Sequence, residues 1–242
     1  MSHPLISIIT ITYNAEKELP VTIDSVMAQS YKNFEHLIID GASTDHTLEI
    51  ARRNPDVRIV SEKDNGLYDA MNKGIDQARG KYIIFLNAGD TFRNPDILAL
   101  YGREAEKGYE IIYSDTMIVN SQREDLAPRH YSVPEILTFE SFSKGMLICH
   151  QAFMVKKEIA PKYNLQYRFS ADYDWTIRCI RNTEPEKCIN LHTVGINYLS
   201  DGMTDKNKIK SLKERYHVMT YHYGTAAAIK RHIQLILSKI FR

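Results

Sequence analysis

Lys81-Tyr82-Ile83-Ile84-Phe85-Leu86-Asn87, followed at once by Ala88-Gly89-Asp90, decides the fold. An apolar run this short, ending abruptly in polar residues, reads as a central strand buried on both faces. Working outward, Leu5–Tyr13 and Phe34–Asp40 read the same way, and Val57–Ser61 makes a third, shorter strand. Between them, Leu19, Ile23, Val26 and Met27 share a helical face, with Pro20 tolerated in the first turn. Ser43 or Asp45 is placed to cap a short helix running through Arg53. Leu67, Met71, Ile75 and Ala78 form another apolar stripe after the turn Asp64-Asn65-Gly66. This β-α alternation predicts an α/β fold with a mostly parallel central sheet and helices on both faces.

Sheets of this kind bind ligands at the carboxyl ends of their strands. That rule selects Tyr13-Asn14, Asp40 and Asn87–Asp90, three polar clusters that each follow a strand and converge on one crevice. The second half is less regular. Glu110–Asn120, Leu147–Val155 and Lys187–Val194 read as strands, Pro95–Lys107 contains a helix, and Ser121–Ser143 reads as loop with limited helix. Ser200–Lys210 is polar and turn-rich, the composition of a mobile lid.

The 242 residues suit one large domain or a domain with an appendage, and 43% hydrophobic with 25% charged residues is ordinary for a globular chain. A formal charge of +1 gives no global reason to expect nucleic acid as a partner. Cys149, Cys179 and Cys188 are odd in number and lack CxxC spacing, which points away from structural disulfides and toward a reducing compartment. No signal-peptide pattern and no stretch of ~20 apolar residues is present, so a cytoplasmic protein is expected.

Several residues carry two readings. Asp90 suits a metal bound jointly with substrate phosphates, and equally a cap for the following helix. Asp40 suits a hydrogen bond to a base, whereas Ser43 and Asp45 read as turn and cap. Asp69 and Lys73, four apart on one helix, suit a surface ion pair. Asp172 and Asp174 flank Tyr173 beside Trp175, the only tryptophan. Two apart on a helix, they point to different faces, so one of them reaches the crevice. His150 and Gln151 suit a sugar hydroxyl or a structural role.

SIITITYNAEKEL, LIIDGASTDHT, EKDNGLYDAMNKGI, KYIIFLNAGDTF, CHQAFMVKKEI and SADYDWTIR occur in this order over roughly residues 5–180. As an ordered set they closely resemble the inverting family-2 glycosyltransferases of bacterial surface polysaccharides, which have the Rossmann-like GT-A fold. The resemblance implies that Thr12, Tyr13 and Asn14 line a nucleotide pocket and that Asp40 contacts the base. It groups Asp69 and Asn87 with the donor site. Asp90 takes the metal-binding place, with Mg²⁺ or Mn²⁺ as the ion, Asp172 is the general base, and His150 and Gln151 lie on the acceptor side. The acidic run usual after the central strand is reduced here to one carboxylate, Ala42 and Gly41 stand in a loop usually more acidic, and Ala171 replaces a glutamate.

The expectation is a GT-A domain over 1–200, its nucleotide-binding half 1–115 and its acceptor half 116–200, with a mobile loop and helical tail over 201–242. The partners expected are a nucleotide-sugar donor, UDP-linked by preference, and a glycan or lipid-linked acceptor. In the tail, Ile229, Ile233, Ile236, Leu237, Ile240 and Phe241 share one helical face. Peripheral contact of 229–242 with the inner face of the cell membrane and packing against protein are level readings of that face. A sugar-1-phosphate nucleotidyltransferase would need a glycine-rich basic loop where Tyr13–Lys17 stands. A dinucleotide-dependent oxidoreductase would need GxGxxG there. A binding scaffold that has lost catalysis is the non-enzyme alternative, supported by the thinned acidic turn and opposed by the retention of Asp172.

Overall fold

The structure, a computed structural model, describes residues 3–129, 133–200 and 208–240. Its elements in chain order are β1 (Ile6–Thr12), α1 (Leu19–Met27), β2 (Phe34–Asp40), α2 (Thr47–Arg52), β3 (Val57–Ser61), α3 (Leu67–Gln77), β4 (Tyr82–Phe85), β5 (Thr91–Phe92) and α4 (Ile97–Glu106). There follow β6 (Ile111–Val119), β7 (Asp125–Pro128), β8 (Phe153–Lys156), α5 (Ala171–Arg181), β9 (Cys188–Leu199), α6 (Lys208–Tyr223) and α7 (Thr225–Ile240). Nine strands form one sheet in the order β3-β2-β1-β4-β8-β6-β9-β5, with β7 beside β6.

The first four strands of that order are parallel. Every residue of β1 and β4 is buried, as expected of strands covered by helices on both sides. The polar residues of β1 find partners along the sheet. Ser7 donates to Glu35 at 2.5 Å, and Thr10 bonds His36 at 2.9 Å. On α3, a Cβ on Gly74 would come within 2.6 Å of Ile9 Cγ2, so glycine lets this helix lie close over β1.

Beyond β4 the sheet becomes mixed. β8 runs antiparallel to both β4 and β6, while β6 and β9 pair in parallel through two register shifts. Three expectations are corrected in this half. The apolar run Leu147–Val155 is not one strand: a 3-10 turn over His150–Ala152 precedes β8, which turns His150 and Gln151 inward. Ser121–Ser143 contains β7, a fully exposed edge strand ending in Pro128 that carries no apolar alternation to betray it. The last strand extends to Leu199, five residues past the expected Val194.

α6 packs back on the domain. Glu214 accepts from the backbone N–H groups of Arg168, Phe169 and Ser170 at 2.7–3.1 Å, and Ser170 Oγ donates to Ser211 O. Most of the expected lid, 201–207, lies outside the described residues, while Lys208–Lys210 already belong to α6. On α7, Ala228 is buried, and Ile229 and Ile233 are exposed. Among the described residues no helix is long and apolar enough to cross a membrane.

Candidate active site

Parallel register aligns the first strand ends. Thr12, Asp40 and Ser61 occupy one row across β1, β2 and β3. Asp40 Oδ1 accepts from Thr12 and Ser43 hydroxyls, and Oδ2 accepts from Ser43 N and Ser61 Oγ. Asp40 is wholly buried, so it meets the crevice through the loop it holds and would have to release a partner to touch a base. The loop it shapes is strained: Asn14 (φ 49°) and Ala42 (φ 61°) both adopt the left-handed region. Asn14 Oδ1 accepts from Thr44 N, and Asn14 N donates to Ser43 Oγ, locking the two loops together. Tyr13 projects beside them, 66% exposed, and the Asp64 carboxylate occupies the space where a Gly41 side chain would stand. Asp69 accepts from Asn65, while Lys73 reaches Glu62 at 3.0 Å, which replaces the expected Asp69–Lys73 pair.

The Asn87–Asp90 turn is held from α1. Thr22 Oγ1 donates to Asp90 O and accepts from Gly89 N, both at 2.9 Å. Gly89 needs its φ of +98°, and a side chain there would strike Leu199. The helix-cap reading of Asp90 is overturned, because α4 starts later, with Asp96 in the N-cap position, and the Asp90 side chain is turned to β9. Its Oδ1 accepts from Leu199 N and its Oδ2 from Gln151 Nε2, both at 2.9 Å. Burial pushes this carboxyl up to about 7.

Gln151 links the turn to the second half of the crevice. Its neighbour His150 bonds Tyr163 Oη through Nε2 and stacks on Phe85. Burial lowers the imidazole to about 4, so it is neutral near pH 7. Tyr163 stacks between Tyr68 of α3 and Trp175 of α5, with centroids at 5.5 and 4.9 Å. Tyr68 Oη then donates to Asp172 Oδ1 at 3.2 Å, and Tyr173 N donates to the same oxygen at 2.9 Å. Burial first, and then the Asp172 charge, hold the Tyr68 phenol well above its usual range, so it remains a donor.

Asp174 has the opposite fate. It is buried between His222 of α6, at 2.8 Å, and Arg178, also at 2.8 Å. Asp40, Asp90 and Asp174 thus spend both oxygens on protein donors. Asp172 alone of these four keeps one, Oδ2, without a hydrogen-bond partner among the described residues, and it is partly exposed.

A cation would meet oxygen donors at the turn. Asn87 Oδ1 is buried with no hydrogen-bond partner among the described residues, and Asp90, three residues on, would join it by sharing an oxygen now held by Leu199 N or Gln151, a hard donor set that fits Mg²⁺ or Mn²⁺. Among the described residues no cluster of three His, Cys, Asp or Glu side chains exists, so a metal would depend on substrate phosphates to complete its shell.

Tyr68, Tyr163, Arg123 and Glu214 were not picked out from sequence. Tyr68 lies on the apolar face of α3, one residue from the Leu67 counted there, and reads as core. The charged residues stand in polar stretches that read as solvated surface.

Residues 7–163 match the family model described as glycosyl transferase family 2. The chain belongs to this family. It is a glycosyltransferase. Among its relatives is a PGL/p-HBAD biosynthesis glycosyltransferase of Mycobacterium bovis, 33% identical in an alignment 230 residues long that covers 88% of this chain and 85% of that one. Among solved structures, S. aureus TarS (residues 1–349) matches with a TM-score of 0.72 at 16% identity, over 95% of this chain and 72% of that one. The mannosyltransferase PcManGT of Pyrobaculum calidifontis, solved with GDP-Man and Mn²⁺, matches with a TM-score of 0.65 at 15% identity, over 96% of this chain and 74% of that one. These structural likenesses establish the GT-A fold.

Proposed function

We propose that this glycosyltransferase moves one sugar, with inversion, from a nucleotide-diphosphate donor, UDP-linked by preference, to a hydroxyl of a glycan or lipid-linked glycan in cell-surface polysaccharide synthesis. The observation that carries the reading is the unspent oxygen of Asp172. Inverting transfer needs one general base to take the acceptor proton as the anomeric carbon is attacked. Asp172 Oδ2 meets that need, while Tyr68 and the Tyr173 amide fix the carboxylate through its other oxygen. Thr12, Tyr13, Asn14 and the Asp40-shaped loop form the nucleotide side, and His150 with Gln151 forms the wall between donor and acceptor. A divalent ion held by Asn87 and Asp90 would supply positive charge for the departing diphosphate.

Asp172→Asn keeps the shape of the side chain and removes the base. Transfer should fall by roughly 10²–10⁴-fold, while calorimetric titration with UDP gives wild-type affinity. Near-normal turnover in this variant would defeat the assignment of the base.

A lipid-linked acceptor calls for contact with a membrane surface, and α7 exposes Ile229 and Ile233 beside Lys230. Replacing both isoleucines by glutamate should reduce cosedimentation with anionic vesicles and leave the thermal midpoint unchanged. Equal cosedimentation of variant and wild type would return this face to protein packing.

A further inference from the structure

The thinned acidic turn raises a question of charge. A nucleoside diphosphate brings two or more negative charges into a crevice that already holds Asp40, Asp90 and Asp172. At the β3 end Lys73 is taken by Glu62 and by Lys63 O, while Thr12, Ser43 and Ser61 present hydroxyls.

Two arginines stand on the other side, carried by the β6–β7 hairpin. Arg123 occupies the hairpin turn in the left-handed region, φ 68°. That conformation is costly for a branched-free but long side chain, and it persists where the surroundings demand it. Its Nη1 donates to Gly89 O, in the same turn that carries Asp90. Arg129 follows β7 and is anchored by its backbone N–H to Thr116 O at 3.0 Å. Arg129 Nη1 is buried with no hydrogen-bond partner among the described residues. Neither arginine has a carboxylate within 4 Å among the described residues. Met117 of β6 pairs with Pro128 of β7, and two residues on Val119 pairs with Leu199, whose N–H holds Asp90, so one strand joins the hairpin to the Asp90 turn.

An orphan guanidinium N–H is expensive to leave buried, whereas a phosphate oxygen satisfies it with a charge-assisted bond. We propose that Arg123 and Arg129 form a protein-borne diphosphate site, in which Arg129 binds the phosphate that departs with the nucleotide. This rests on the donor reading above and deepens it. The site places fixed positive charge where negative charge accumulates as the glycosidic bond to the donor breaks. It also gives the hairpin a function that its exposed, polar strand β7 does not suggest.

The test is calorimetric titration of uridine, UMP and UDP, in EDTA so that no metal bridges the phosphates. Wild type is compared with Arg129→Gln, Arg129→Lys and Arg123→Ala. Arg129→Gln keeps most of the length and loses the charge, and its thermal midpoint checks folding. The expected result is unchanged uridine affinity, UDP affinity reduced tenfold or more in Arg129→Gln, partial recovery in Arg129→Lys, and a smaller loss in Arg123→Ala. Wild-type UDP affinity in all three variants overturns the arginine site while leaving the donor reading standing. Failure of the wild type to bind uridine, UMP or UDP overturns both.

Discussion

Asp172 and Asp174 are two residues apart on α5, and roughly half a turn of helix separates their chemistry. Asp174 is paired on both oxygens, and Asp172 is held on one. Sequence alone could say that only one of them faces the crevice. Which one was carried by the family resemblance, because the His222 that claims Asp174 lies 48 residues further on. Asp90 shows the limit more sharply. The tetrad Asn87-Ala88-Gly89-Asp90 is compatible with a helix cap, and only the backbone of Leu199 and the Gln151 amide decide against it. Asn87 is the residue through which the metal reading is tested most directly. Asn87→Asp adds a second carboxylate to the turn, and Mn²⁺ affinity measured with UDP saturating should rise about tenfold, because charge dominates affinity among hard oxygen sites. Unchanged Mn²⁺ affinity would remove residue 87 from the ligand set.

At the scale of elements, what was legible depended on burial. β2 and β3 were read with their observed bounds, and β1 and β4 within two residues; β1 and β4 are covered on both faces and so are nearly continuous apolar runs, while β3, the partly exposed edge, kept enough Val and Ile to be read. β7 was not legible because an exposed edge strand has no reason to be apolar. The 3-10 turn at His150 was hidden inside an apolar run because its residues are as buried as a strand's. α6 lies outside the resemblance altogether, yet it braces the start of α5. Glu214 satisfies three backbone donors there, two of them with the same oxygen. Glu214→Gln replaces charged acceptors by one neutral oxygen and an amino group that cannot accept. The expected cost is about 1–3 kcal/mol of stability, with kcat falling further than UDP affinity, since the disturbed segment carries Asp172. A loss confined to UDP binding would show that α6 acts on the donor side instead.

Over the whole molecule, two buried histidines set the acid limit. Burial lowers His36 to about 3 and His150 to about 4, from an ordinary 6.5. Both are neutral when folded, so between these values and 6.5 the unfolded chain binds more protons. The histidine contribution is therefore complete above about pH 6.5 and is lost as pH falls toward 4, on the order of a few kcal/mol for each, while Asp90, raised to about 7, opposes it in part. Thermal midpoints from pH 8 to pH 4 should fall over that window, and His36→Gln should flatten the slope. A slope unaltered in His36→Gln would mean that other groups carry the acid sensitivity.

The sheet that floors the crevice runs unbroken from β3 to β5, and Asn72 of α3 grips Tyr163 by both its N–H and its C=O, at 2.7 and 3.1 Å. The two halves of the sheet are consequently welded rather than jointed. The expectation is that any motion serving substrate entry and product escape falls to the rim, over a floor that stays still.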